Sequence, residues 1–124
     1  MTVIDYLLAQ GVHREVAHLL DTQTPAAPDV LVFELLAVLR RHVLKGQLGR
    51  ERAAMAVADP GDLGVDLFPS LALRQRVFGL RENFTAGDAL NVALAEVLGE
   101  TLLTKDRGLA RAVGQFTDVP VQLV

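Results

Sequence analysis

The chain contains no cysteine among its 124 residues. This absence excludes a disulfide framework, a thiolate zinc site and a cysteine nucleophile, and it is typical of proteins of the reducing cytoplasm, where we expect this chain to act. No stretch approaches the roughly eighteen uninterrupted apolar residues that a membrane span requires, and Met1 to Asp5 do not resemble a secretory signal. We therefore expect neither secretion nor a membrane partner.

The chain also lacks an excess of positive charge, since 12 Lys and Arg residues against 15 Asp and Glu residues give a formal net charge of −3 at neutral pH. The chain therefore has no overall basic character of the kind that indicates nucleic acid binding, and any RNA contact must be local. Aromatic residues that could stack on bases are few, at five Phe and one Tyr. Local basic clusters occur at Arg40, Arg41 and Lys45, at Arg50 and Arg52, and at Arg74, Arg76 and Arg81. Solvated helix faces are the ordinary interpretation of such clusters.

The length and composition predict one domain over residues 1–124. Hydrophobic residues make up 51% of the chain and charged residues 22%, which is enough apolar surface for a single core. Hydrophobic periodicity predicts helices over 6–20, 29–45, 50–57, 70–80, 85–98 and 106–113. It predicts strands over 65–68, 100–104 and 119–123, with Pro120 indicating an edge strand. Strands alternating with helices predict an α/β fold with a parallel sheet covered on both faces.

Three acidic residues lie beside or inside apolar runs, where an ionised carboxylate is costly to bury. Glu34 has apolar helical neighbours, although its carboxylate could reach water or pair with Arg41. Asp88 and Thr85 have the spacing of a near capping box. Asp106 follows a predicted strand and could simply cap the next helix.

The two aspartates nevertheless fall at junctions leading into helices, on the side of an α/β sheet where ligands bind. Several carboxylates gathered there repel one another, and a cation is needed to keep all of them ionised. Oxygen-only ligands favour Mg²⁺ or Mn²⁺. The sequence offers no glycine-rich phosphate loop and no nucleophile elbow, while His13, His18 and His42 are expected to be surface residues.

Several segments resemble the VapC-like PIN-domain family. The run Leu80–Glu96 is similar to the family's third-acid segment, and Leu102–Asp106 resembles its "L-L-T-x-D" motif. Ala27–Arg41 looks like the family's helix "A-P … E-V-x-x-A-L-R". Within Leu80–Glu96, Gly87 and Asn91 depart from the family's pattern, since the family often has an aromatic residue there. The combination is specific, although each segment alone is weak.

This resemblance implies a PIN-like parallel sheet of four to five strands flanked by helices, and a Mg²⁺-dependent endoribonuclease that acts as a toxin. It implies an RNA substrate, inhibition by a VapB-type antitoxin, and a homodimer. Glu34, Asp88 and Asp106 match three of the family's metal-site acids, and Thr104 is a candidate for orienting the site through its hydroxyl.

The family's first acid ends an opening strand, and the chain allows two registers for it. When the helix over 6–20 is aligned without gaps to Glu34, that acid falls before Met1, the opening strand is incomplete, and the first metal ligand is missing. We favour this register. In the other register, Met1 to Ile4 form the strand and Asp5 is the ligand, although Tyr6 rather than a small residue follows it.

Two alternatives to an active nuclease remain open. A catalytically inactive PIN-like module could bind an antitoxin, RNA or its own copy, and a missing first acid would favour it. A plain α/β domain in which all the acids are helix caps would show no metal affinity.

Overall fold

A five-stranded parallel sheet forms the centre of the protein. The computed structural model describes residues 1–5, 24–58 and 64–124. The strand order is β3-β2-β1-β4-β5, and each adjacent pair is parallel. The strands are β1 (Thr2–Ile4), β2 (Pro25–Pro28), β3 (Asp66–Phe68), β4 (Leu102–Thr104) and β5 (Val121–Leu123). The helices described are α1 (Val30–Leu44), α2 (Arg50–Ala58), a 3₁₀ helix (Ser70–Leu73), α3 (Arg74–Gly79), α4 (Ala86–Leu98) and α5 (Arg107–Phe116).

Alternate residues of the central strands enter two separate cores, because successive side chains of a strand point to opposite faces. Val3 and Leu102 pack into a large core that includes the buried side of α4. Ile4 and Leu103 pack on the other face with Leu31 of α1. The prediction of an α/β fold with a parallel sheet covered on both faces is confirmed.

Strand β1 lies in the middle of the sheet, between β2 and β4. The N–H of Val3 donates to the carbonyl of Thr101, and the N–H of Asp5 donates to that of Leu103, both over 3.0 Å. Val3 is fully buried and Ile4 is 4% exposed. The structure thus has the arrangement of the less favoured register, in which the residues preceding Asp5 form a strand, because burying Val3 and Ile4 at the centre of the sheet stabilises them as β structure. The helix predicted over 6–20, with His13 and His18, lies outside the described residues.

Strand β2 was not predicted, because prolines stand at both of its ends. Proline cannot donate to a strand ladder and is normally confined to edge strands or strand starts. Pro25 is the first residue of β2 and Pro28 the last, so the interior consists of the buried Ala26 and Ala27. After Pro28 the backbone pairing continues, since the N–H of Asp29 donates to the carbonyl of Phe68 over 2.8 Å.

Helix α4 packs its apolar surface against the sheet and brings its first turn to the carboxyl edge. Thr85 caps it by accepting the N–H of Asp88 over 3.2 Å, and Gly99 ends it with a φ of 64°, a conformation that glycine adopts without strain. Residues 91–95 are all buried, as the apolar sequence predicts. β5 lies at a sheet edge, which confirms the expectation from Pro120. None of the helices in the described ranges is long and apolar enough to cross a bilayer.

Candidate active site

Four acidic residues meet at the carboxyl edge of the sheet. Asp5 follows β1 and Asp106 follows β4, the neighbouring strand. Asp88 lies in the first turn of α4, and Glu34 in the second turn of α1. Ligands of open α/β sheets bind at this edge, so the sequence elements deliver all four carboxylates to the expected place.

Asp5 is the most deeply buried of the four, with 4% of its surface exposed. The hydroxyl of Thr104 donates to its Oδ2 over 2.7 Å. The side-chain amide of Asn91 donates to its Oδ1 over 3.5 Å. Hydrogen bonds to a carboxylate stabilise its charged form, so this buried acid is supported on both oxygens.

Asp106 is tied to the same threonine. Its backbone N–H donates to Oγ1 of Thr104 over 3.0 Å, and its Oδ1 accepts the N–H of Leu109 over 3.0 Å. The second contact caps α5, as the sequence predicted. The cap occupies one carboxylate oxygen, so capping and a role in the site are compatible.

Glu34 faces the start of α4. A β-carbon added to Gly87 would lie 3.6 Å from Oε1 of Glu34, which shows how closely the carboxylate approaches that helix. Burial raises the pKa of Glu34 most, and repulsion by Asp5 and Asp88 raises it further. In the part of the chain that the structure describes, no ion pair joins Glu34 to Arg41.

Asp88 links the remaining acids electrostatically. Burial raises its pKa most, a hydrogen bond with the Thr85 side chain lowers it, and repulsion by Asp5 and Asp106 raises it again. Raised carboxyl pKa values caused by neighbouring acids are common at functional sites. Repulsion thus connects Glu34 with Asp5 and Asp88, and Asp88 with Asp5 and Asp106.

The chemistry of these donors fits a magnesium ion. Within residues 1–5, 24–58 and 64–124, no three acidic or histidine side chains are arranged as a group that could hold a metal ion by themselves. Mg²⁺ usually keeps several waters and is bound through only one or two carboxylates. Asp5, Glu34, Asp88 and Asp106 offer oxygen donors of the kind that such a partly hydrated ion would take.

Some side chains of the basic clusters contact neighbouring side chains, and others are exposed to solvent. Arg76 makes a two-pronged ion pair with Glu96, with nitrogen–oxygen distances of 2.8 and 2.9 Å. The Arg81 guanidinium stacks 4.5 Å from the centre of the Phe78 ring. Arg40, Arg41, Lys45, Arg50, Arg52 and His42 are exposed on or near α1 and α2. The exposure of His42 confirms the sequence expectation.

A cleft of about 460 Å³ lies away from the acids, at the amino edge of the sheet. Its lining includes Gly99, Phe116 and Pro120, which precede β4 or β5. Glu96 of the cleft is already paired with Arg76. We assign the chemistry to the carboxyl edge, because that is where the acids with raised pKa values lie.

Sequence reasoning identified Glu34, Asp88, Asp106 and Thr104, and the structure brings all of them to one edge with Asp5. It had placed Asp5 at the site only in the less favoured register. It had noted Asn91 as a departure from a family pattern without giving it a role. The available signal was a single amide in the apolar run Ala89–Ala95 of a helix expected to be buried.

Comparison with known proteins identifies relatives along most of the chain, although no protein-family model matches it. Ribonuclease VapC1 of Mycobacterium tuberculosis is 38% identical over 114 residues, which cover 90% of this chain and 86% of that protein. Ribonuclease VapC12 of the same organism is 28% identical over 116 residues, covering 94% and 90%.

Solved structures share the fold at lower identity. A chain of a toxin–antitoxin complex from Klebsiella pneumoniae aligns with a TM-score of 0.62 and 17% identity, covering 98% of this chain and 96% of that one. A protein from Pyrobaculum aerophilum aligns with a TM-score of 0.67 and 18% identity, covering 97% and 81%. Together with the sequence relatives, these likenesses show that the chain belongs to the VapC family of PIN-domain ribonucleases.

Proposed function

We propose that this chain is a Mg²⁺-dependent endoribonuclease of the VapC toxin type. The observation that carries the proposal is the convergence of Asp5, Glu34, Asp88 and Asp106 at the carboxyl edge of the parallel sheet. The relatives named ribonucleases support the substrate class. RNA as the substrate and a chain without cysteine both favour the cytoplasm as its place of action.

The proposed roles follow from the contacts of each acid. Magnesium bound here would orient a phosphodiester, stabilise charge on its oxygens and lower the pKa of an attacking water. Asp5 contributes a buried carboxylate fixed by Thr104, and Asp106 is held at the neighbouring strand by the same hydroxyl. Glu34 and Asp88 add two further carboxylates, whose negative charge would help to attract a cation.

The test is cleavage of a mixture of structured RNAs by the purified chain, with and without Mg²⁺. Replacing Asp88 with Asn should lower the rate by about 100-fold, because it removes one of the charges that hold the ion. Asp118→Asn is the matched control, since it removes the same charge from an exposed residue at the opposite edge. Cleavage that needs no added metal, or that survives Asp88→Asn, would refute the proposal.

An inactive binding module was the alternative suggested by a missing first acid. Asp5, buried directly after β1, is our candidate for that acid. A first acid at Asp5 favours the active enzyme over the inactive module. The same assay tests it, because an inactive module would give no metal-dependent cleavage at all.

The antitoxin partner that we propose docks on the groove between α1 and α2. Its floor is apolar and includes Leu36, Leu39, Val43, Ala53 and Val57. Leu36 is 45% exposed and Val57 is 54% exposed, although both are apolar. Exposed apolar surface of this kind marks an interaction site.

The charge around this groove defines the chemistry of its occupant. From residue 36 to residue 58 there are five basic side chains, Arg40, Arg41, Lys45, Arg50 and Arg52, and one acidic side chain, Glu51. The segment therefore carries +4 within a chain whose total is −3. An amphipathic antitoxin segment with an apolar face and acidic flanks complements this surface.

Co-expression with a candidate VapB-type antitoxin protein tests the assignment. Leu36→Asp should release that protein without changing RNA cleavage, whereas Leu71→Asp, on an exposed leucine of the 3₁₀ helix, should retain it. A homodimer is the other expected assembly. If ultracentrifugation shows that Leu36→Asp dissociates a dimer and leaves the partner bound, the groove belongs to self-association.

A further inference from the structure

Asn91 is a polar residue in an otherwise apolar part of α4. All the residues from Ala89 to Ala95 except Asn91 are Ala, Val or Leu. Asn91 is only 7% exposed, and its neighbours Val92 and Ala93 are fully buried. A buried amide costs free energy unless it is hydrogen-bonded, so an apolar side chain would serve the core better.

We propose that Asn91 is a positioning residue that fixes the orientation of the Asp5 carboxylate. Its Nδ2 lies 3.5 Å from Oδ1 of Asp5, while Oγ1 of Thr104 lies 2.7 Å from Oδ2. Each carboxylate oxygen therefore has a donor from a different element, one from α4 and one from β4. Rotation of the carboxylate about its terminal bond would break one of these contacts.

The neutrality of the two donors matters for a cation site. An arginine or lysine in the same place would also hold Asp5, but its positive charge would oppose a bound cation. An amide and a hydroxyl orient the carboxylate and leave its full negative charge available. Groups that orient metal-binding carboxylates in this way raise metal affinity.

Helix geometry couples Asn91 to a second acid. Asn91 follows Asp88 by three residues, so both lie on the same side of α4. The contact between Asn91 and Asp5 therefore also sets the distance of the first turn of α4 from the end of β1. This inference rests on the proposed function only in treating Asp5 as an acid of the metal site.

The experiment measures Mn²⁺ binding by spin resonance on metal-free protein, with no RNA present. Asn91→Leu should raise the Kd for Mn²⁺ by about tenfold, because Asp5 loses the side-chain donor that Asn91 supplies. Leu94→Ala is the control, since Leu94 is 1% exposed on the same helix. That variant should lower thermal stability and leave the Kd unchanged. An unchanged Kd in Asn91→Leu, or an equal rise in Leu94→Ala, would overturn the proposal.

Urea unfolding of the metal-free protein provides the second readout. Asn91→Leu, Asp5→Asn and the double variant form a cycle that reports whether the two residues interact. We expect the change in the urea midpoint of the double variant to differ from the sum of the changes in the two single variants. Additive effects would mean that Asn91 does not act through Asp5. If the wild type binds no Mn²⁺ but the cycle shows coupling, the metal site fails while the positioning contact stands.

Discussion

Thr104 joins two acids of the site through one hydroxyl. Its Oγ1 donates to Oδ2 of Asp5 over 2.7 Å and accepts the N–H of Asp106 over 3.0 Å. The residue is fully buried, so water cannot replace either bond. The ends of β1 and β4 are thus held together by a side chain that carries no charge.

Thr104→Val should weaken both metal binding and folding. Valine has nearly the same shape but can neither donate to Asp5 nor accept from Asp106. We expect the Kd for Mn²⁺ to rise by about 10- to 100-fold. We expect the free energy of unfolding to fall by about 1–3 kcal/mol, because buried polar groups lose their partners. Spin resonance and urea titration measure the two effects.

Thr117→Val is the matched control for this substitution. Thr117 also makes two hydrogen bonds, donating to the carbonyl of Val113 over 2.8 Å and accepting the N–H of Val119 over 3.2 Å. It lies at the end of α5, by the opposite edge of the sheet. Its loss should reduce stability and leave the Kd for Mn²⁺ unaltered. Equal changes in Kd for both variants would contradict a specific role for Thr104.

Glu34→Gln should stabilise the metal-free protein at neutral pH. The pKa of Glu34 is raised above its ordinary value of 4.5 by burial first and then by Asp5 and Asp88. A raised folded-state pKa means that this group favours folding fully below its unfolded pKa, and that the contribution is lost as the pH rises through the folded pKa. The ionised form present at neutral pH is therefore the less favourable one.

We expect Glu34→Gln to increase the free energy of unfolding by about 0.5 kcal/mol near neutral pH, a value kept small because the side chain is only half-buried. The melting temperature should rise by roughly 2–3 °C. The gain should shrink as the pH falls towards the ordinary glutamate value, where Glu34 itself is protonated. The exposed Glu82→Gln serves as the control in the same scans. A loss of stability, or a gain independent of pH, would count against electrostatic repulsion at the site.

Local signals in the sequence were sufficient to predict the helices of the carboxyl-terminal half. Thr85 and Gly99 mark the ends of α4 by capping chemistry, and both act as expected in the structure. The predicted strand over 100–104 contains β4, although only three of its residues pair. The predicted helix over 70–80 proved to be a 3₁₀ helix followed by α3, which hydrophobic periodicity does not distinguish from one α-helix.

The opening of the fold was harder to predict, because its evidence lies far away in sequence. A three-residue strand such as β1 has too few positions for a periodic pattern, and its identity depends on pairing with β2 and β4. The contacts of Asp5 with Asn91 and Thr104 cross 86 and 99 residues. Alignment to the helix pattern favoured the register without Asp5, since it could not include those contacts.

Adding Mg²⁺ should stabilise the folded protein by an amount that grows with the logarithm of the Mg²⁺ concentration once this exceeds the Kd. A ligand at about 100 times its Kd stabilises the folded state by about 2.7 kcal/mol, so the melting temperature should rise and return on chelation with EDTA. The effect should weaken in acid, because protons compete for carboxylates whose pKa values are raised. Asp88→Asn should lose the effect and Asp118→Asn should keep it. A similar rise in both variants would indicate non-specific binding.

Ser70→Ala tests the role of the Asp29 carboxylate, which follows β2 and lies outside the proposed metal-binding set. Oδ1 of Asp29 accepts both the N–H and the hydroxyl of Ser70, connecting the start of α1 to the 3₁₀ helix. These hydrogen bonds lower the pKa of Asp29, the side-chain hydroxyl contributing most. A lowered folded-state pKa means that the stabilisation is present above the ordinary value of 3.8 and is lost as the pH falls through the folded pKa.

We therefore expect Ser70→Ala to reduce the free energy of unfolding by about 0.5–1 kcal/mol near neutral pH, since the pair is exposed and screened by water. The difference from the wild type should narrow in acid, below the ordinary aspartate pKa, and should be smaller in an Asp29→Asn background. Urea titrations across this pH range measure both effects. A penalty that stays constant with pH and survives Asp29→Asn would show that Ser70 stabilises the 3₁₀ helix by another contact. In either case Mn²⁺ affinity should be unchanged, which separates this carboxylate from the four that repel one another at the site.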